Sequence, residues 1–184
     1  MVVMQNGKEA TSEARRLAST LNSTRNPDQA MVQPNILSSM PLFQGLERQD
    51  LDLLADRFHA ETFSAGEIIF PQGARADKFY IVISGKVAIR FKPEDGEVIN
   101  VSEVEAGSVF GWSSALGRKR YTSCAVCLEP TEALSIRGAE LREMIEQHPE
   151  TGVVILERLA EVIAQRLQST HEKVIDLLRA GIHS

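Results

Sequence analysis

The sequence predicts a mainly-β protein with flanking helices: a small antiparallel β-barrel or jelly roll, followed by one long C-terminal helix. Three features of the 184-residue chain point there. Between residues 60 and 136, short runs rich in Val, Ile, Phe, Tyr and Thr recur with a period near two, as half-buried strands do. Turn signals separate the runs at Ala65-Gly66, Gln72-Gly73, Ser84-Gly85, Glu94-Asp95-Gly96 and Ala106-Gly107. After Arg137 the apolar period lengthens to that of a helix.

Taken in order, residues 1–36 are polar, broken by Asn26-Pro27 and Gln33-Pro34, and read as an arm that is flexible or partly helical around Glu9 to Leu21. Residues 37–148 form the β domain. Leu51, Leu54, Ala55 and Phe58 at helical spacing predict a helix from Arg48 to His59. Strands are expected over Ala60–Phe63, Glu67–Phe70, Lys78–Ser84, Lys86–Phe91, Glu97–Val104, Tyr121–Leu128 and Glu132–Ile136. In Lys78–Ser84, Phe79, Ile81 and Ile83 share one face while Tyr80 and Val82 take the other. Asp95-Gly96 is the clearest hairpin turn, because both residues tolerate positive φ. A helix over Gly138–Gln147 must stop at His148, since the residue before Pro149 is pushed out of α geometry.

Residues 149–184 hold the last helix, Pro149 to about Ala180, with proline suited to its first turn and Gly181 to its end. At roughly 45 Å it outruns one small barrel. Ile163, Leu167, Thr170, Val174 and Leu177 alternate spacings of four and three, the seam of a two-stranded coiled coil, so a homodimer through this helix is expected. Val153, Leu156, Leu159 and Val162 are expected to face the chain's own barrel.

A net charge of -5 argues against a broad nucleic-acid surface, and no run approaches a membrane span of about 20 apolar residues. Cys124 and Cys127 fall on opposite faces of a strand and read as small buried hydrophobes, which suits a cytoplasmic protein. Neither paired histidines for a metal nor an acid/base constellation is seen, so no enzyme is expected.

The chemistry gathers at Phe110-Gly111-Trp112-Ser113-Ser114-Ala115, followed by Arg118-Lys119-Arg120-Tyr121-Thr122. A glycine after a strand lets the backbone approach a ligand, and a short helix after it points free N–H groups at an anion. The basic loop offers counter-charge.

These residues, together with Gly66-Glu67-Ile68-Ile69-Phe70-Pro71-Gln72-Gly73 and Asp77 to Val87, resemble the cyclic nucleotide-binding domain family, the sensor of catabolite activator protein and of kinase regulatory subunits. The resemblance spans about Leu37 to Leu178. It implies that cyclic AMP or cyclic GMP binds without any covalent cofactor or metal, in a phosphate-binding cassette made of Phe110, Gly111, Trp112, Ser113, Ser114, Ala115, Arg120, Tyr121 and Thr122. It also places Arg166 and Thr170 where the family caps the base. Two positions depart. Trp112 stands for the glutamate that accepts the ribose 2′-OH, and an indole N–H is a donor only. Tyr121 stands for the arginine that holds the phosphate, with Arg120 one residue early. A one-residue slip turns a strand side chain to the other face, unless a bulge in Gly117–Arg120 absorbs it and leaves Arg120 as the phosphate ligand.

Trp112 has two open roles, plugging the ribose space or stacking on a planar ligand. The corresponding functions are a stand-alone homodimeric sensor of weak or altered affinity, or a degenerate module kept as a dimerisation and protein-interaction scaffold. With only Ala180 to Ser184 beyond the helix, direct DNA binding is not expected, and output would pass to a protein effector in trans.

Overall fold

A computed structural model describes residues 32–182, leaving out the side chains of 170, 171, 173, 174 and 176–182. The expected helical patch at Glu9 to Leu21 therefore lies outside the described residues. Packing begins at once: Val32, Ile36 and Leu37 are buried, so the core reaches back into the last residues of the polar segment. Proline at the first turn starts α1 (Pro34–Ser38), and a 3-10 turn over Pro41–Phe43 leads into α2 (Arg48–Ala55). That helix stops short of the expected His59, because Phe58 turns into the core and His59 already pairs as strand.

Eight strands follow: β1 (His59–Phe63), β2 (Ile68–Phe70), β3 (Lys78–Ser84), β4 (Lys86–Phe91), β5 (Ile99–Glu105), β6 (Val109–Phe110), β7 (Cys124–Cys127) and β8 (Thr131–Arg137). Among them, α3 (Trp112–Ala115) follows β6, while α4 (Gly138–Gln147) and α5 (Pro149–Ile182) close the chain. The strands make two antiparallel four-stranded sheets, ordered β1-β8-β3-β6 and β2-β7-β4-β5. The architecture is that of a jelly roll, with no closed ring of strands among the described residues. The β4–β5 hairpin forms, with Phe91 opposite Ile99, but its loop is longer than a tight Asp95-Gly96 turn and Gly96 is absent from the positive-φ glycines.

β3 is buried on both faces, which its alternation predicts. Phe79, Ile81 and Ile83 pack outward under the helices, with Leu37, Phe43, Leu54 and Phe58 before the sheet and Leu141, Met144, Ile155 and Leu159 after it. Tyr80 and Val82 pack inward between the sheets, with Phe70, Val87, Val104, Phe110, Tyr121, Ala125 and Cys127. Removing such side chains from water stabilises the fold by ~1.5–3 kcal/mol for each large one, so β3 ties two cores together.

α5 is 34 residues, about 51 Å long. Its inner face is the expected one in part: Leu159 and Val162 meet the core, and Val153 and Leu156 do not. Ile155 and Leu159 are buried and Val162 and Ile163 pack on the same core, while Val153 and Leu156 are 54% and 43% exposed. The reason is angular: at 3.6 residues per turn the stripe through 155, 159 and 162 already covers the sheet, and 153 and 156 fall beside it. Among the described residues, no helix is long and apolar enough to cross a membrane.

Candidate ligand-binding site

Gly111 sits between β6 and α3 at φ 72°, the left-handed region. A Cβ there would come within 2.9 Å of the Lys78 carbonyl oxygen and 3.1 Å of the Tyr80 ring, so only glycine lets the turn lie this close to β3. The turn sets Gly111, Trp112 and Ser113 at the wall of a cleft, and the first N–H groups of α3 have no partner within the helix. Phe110, Gly111, Trp112, Ser113, Tyr121, Thr122 and Arg166 all line that cleft, together with Phe70, Ile89 and Ser123.

Aromatic rings fill its floor. Tyr121 stacks on Phe70 with centroids 3.7 Å apart, and Phe110 stacks on Tyr80 at 4.9 Å. The Tyr121 hydroxyl donates to the Lys78 carbonyl (2.6 Å) and accepts from the Lys78 N–H (3.0 Å), which pins the ring inward. Burial pushes the Tyr121 phenol above its ordinary range. What remains open is a cavity of about 50 Å³.

Arg120 and Tyr121 diverge as neighbours on an extended segment do. The segment pairs with residues 73–77: Arg120 bridges Arg75, Tyr121 N–H donates to Ala74 O (2.9 Å) and Gly73 N–H donates to Tyr121 O (2.9 Å). This register sends Tyr121 inward and Arg120 outward, where its guanidinium donates to Gly73 O at 2.6 Å. No bulge brings Arg120 round, and it lines a different cavity behind the turn. Ser114 goes with it, its hydroxyl donating to Gly111 O (3.0 Å), while Ala115 is buried in the outer core.

The cation in the cleft comes instead from α5. The Arg166 guanidinium lies over the Trp112 ring, 4.7 Å from its centroid, and donates to the Val109 carbonyl. Burial lowers its pKa to about 10. Trp112 is half-buried, packed on the outer core and capped by this arginine. The Thr170 side chain lies outside the described residues. Phe70, Ile89 and Ser123 were not among the sequence candidates. Phe70 carried a signal, as the last residue of a predicted strand before Pro71, but nothing local told which way its ring points.

The cyclic nucleotide-binding domain model matches residues 60–148. The chain is similar to a CRP-like cAMP-activated global transcriptional regulator of Mycobacterium tuberculosis, 32% identical over 143 residues, covering 78% of this chain and 62% of that protein. It is similar also to the cyclic AMP receptor protein of Thermus thermophilus, 29% identical over 142 residues, covering 77% and 63%. The chain thus spans under two thirds of the length of these curated relatives. Among solved structures, the Thermus thermophilus catabolite activator protein superposes with a TM-score of 0.62 at 29% identity, covering 76% of this chain and 63% of that one. A cyclic nucleotide-binding domain from Methylobacillus flagellatus superposes at 0.68, covering 77% and 80%, and at 16% identity it shows likeness of fold alone. The match over residues 60–148, the similar relatives and the superposed fold together give this chain a cyclic nucleotide-binding domain.

Proposed function

We propose that this chain is a regulatory sensor module, not an enzyme, that takes cyclic AMP or cyclic GMP weakly in the cleft at Gly111–Ser113 and reports it through the placement of α5. The observation that carries this is Arg166. It stands in the cleft where a phosphate at the start of α3 would meet it, yet it belongs to the long helix. A ligand that pairs with Arg166 acts on α5 directly, and differential contact of that kind is what shifts a two-state equilibrium. Affinity is lowered because Trp112 replaces a charge-assisted contact of about 1.5–3 kcal/mol, roughly ten- to a hundredfold in binding.

In this arrangement residues 37–148 sense and 149–184 transmit, with 1–36 an appended arm. Exposed Val153, Leu156 and Leu167, with Ala160 and Ile163 between them, keep the alternation of three and four along α5, which suits a second copy of the helix. The dimer would present its state to an effector protein in trans. Free Cys124 and Cys127 fit a reducing, cytoplasmic setting.

The small cleft favours a second role. Small-molecule pockets measure ~300–1,000 Å³, and about 50 Å³ under an aromatic floor is what a non-binding dimerisation scaffold would keep. Titration decides between them. Trp112 is the sole tryptophan, in contact with Arg166, so its emission reads the cleft. The sensor predicts a saturable change with cyclic AMP or cyclic GMP that is lost in Arg166→Met. Constant emission and no heat of binding up to millimolar nucleotide would leave the scaffold.

A further inference from the structure

A second cavity of about 960 Å³, lined in part by the paired segments around residues 75–78 and 117–120, shares no lining residue with the nucleotide cleft. In a chain of net charge -5, seven cations and one carboxylate, Asp77, line it. Two of the cations are neutralised: Arg75 pairs with Asp77 (2.7 Å) and Lys78 with Glu61 (2.6 Å). Arg120 and Arg142 bond to carbonyl oxygens, of Gly73 and Ser114, which fixes their heads without cancelling charge. Arg118, Lys119 and Arg137 are exposed and, among the described residues, have no ion-pair partner.

The walls are held by backbone. Ala76 N–H donates to Lys119 O (3.1 Å), Arg118 N–H to Ser113 O (2.8 Å) and Gly138 N–H to Asp77 O (2.9 Å). A Cβ on Gly138 would meet Ser114 O at 2.3 Å, so glycine is what lets α4 begin against the cavity. Ala139 in the first turn of α4 lines it, and no side chain caps that helix start. Like charges converging on a concave, pre-set surface repel each other and raise the local potential, a cost that a bound anion offsets.

We propose that this cavity is a second ligand site, distinct from the nucleotide cleft, for a small polyanion bearing two or more adjacent phosphoryl groups. One phosphoryl group would engage only part of the ring of cations, whereas the volume and the spread from Arg118 to Arg142 suit several. Guanidinium groups pair bidentately with phosphate oxygens, and the start of α4 adds N–H donors on the same side.

Calorimetry on the full chain at low salt tests it, with inorganic tripolyphosphate as probe and sulfate for comparison. Tripolyphosphate is expected to bind at least about tenfold more tightly than sulfate, and Arg118→Ala/Lys119→Ala/Arg137→Ala to weaken it at least about tenfold, by the loss of charge-assisted bonds. These side chains are exposed, and should the triple variant misfold, Lys119→Glu alone carries the same expectation. The control Arg48→Ala/Lys92→Ala removes two exposed cations outside the cavity and is expected to leave binding intact. Absent binding at millimolar tripolyphosphate, an equal loss in the control, or competition by cyclic AMP would each overturn the second site.

Discussion

Tyr121, which the resemblance places at the proposed phosphate-binding cassette, is held in a structural role. A single hydroxyl satisfies both backbone groups of Lys78, and the ring completes a stack with Phe70. Tyr121→Phe would keep the stack and strand both polar groups, a loss of ~1–3 kcal/mol that urea unfolding should read as a lower midpoint at unchanged slope. An unaltered midpoint would refute the pinning role. Trp112 and Arg166 are a pair of the same kind: each was singled out separately, and the contact between them joins cassette to helix. Nothing local reveals that contact, since the two residues are 54 positions apart.

Secondary elements divide by how many neighbours decide their faces. For β3 a period of two and apolar residues on both sides leave one solution, and its faces follow the alternation. α5 is legible as a long helix from Pro149, but its inner stripe only in part, Leu159 and Val162 and not Val153 and Leu156, because an amphipathic pattern with apolar residues on two faces does not say which face meets the sheet. The outcome leaves Leu167 66% exposed on the side away from the core. Leu167→Asp should therefore cost little folding stability and abolish the proposed dimer, which sedimentation would show as a shift from dimer to monomer. Wild-type protein that is already monomeric at high micromolar concentration would sink the dimer. β6 and α3, too short to carry a period, were visible only through Gly111 and its flanks.

At the scale of the molecule two cores share one strand, and both tyrosines lie in the inner core, where burial links folding to pH. Burial first, then the nearby Tyr121, Glu61 and Asp77, raises the Tyr80 phenol well above the ordinary range, and burial raises Tyr121 in the same direction. An unfolded chain releases these protons near pH ~10 while the folded chain keeps them. The unfolded state then binds fewer protons, so the stability is full below that pH and falls as pH rises above it. Thermal midpoints should decline above pH ~10, less steeply in Tyr121→Phe, and a flat profile there would contradict the linkage. The division of the strands into two four-stranded sheets came from the tertiary structure, whereas from residues alone came an antiparallel β domain of barrel or jelly-roll type, the two apolar faces of β3, the long last helix and the glycine-led turn. Each depends on period, turn chemistry or propensity within a few neighbouring residues. Which cations face which cavity came from the pairing of residues 73–77 with 119–121, more than 40 positions apart. That register turns Tyr121 inward and Arg120 outward toward the other loop cations, because a side chain's direction on an extended segment is set by its partner strand and not by its own sequence, while the packing of α5 on the sheet is what brings Arg166 onto Trp112.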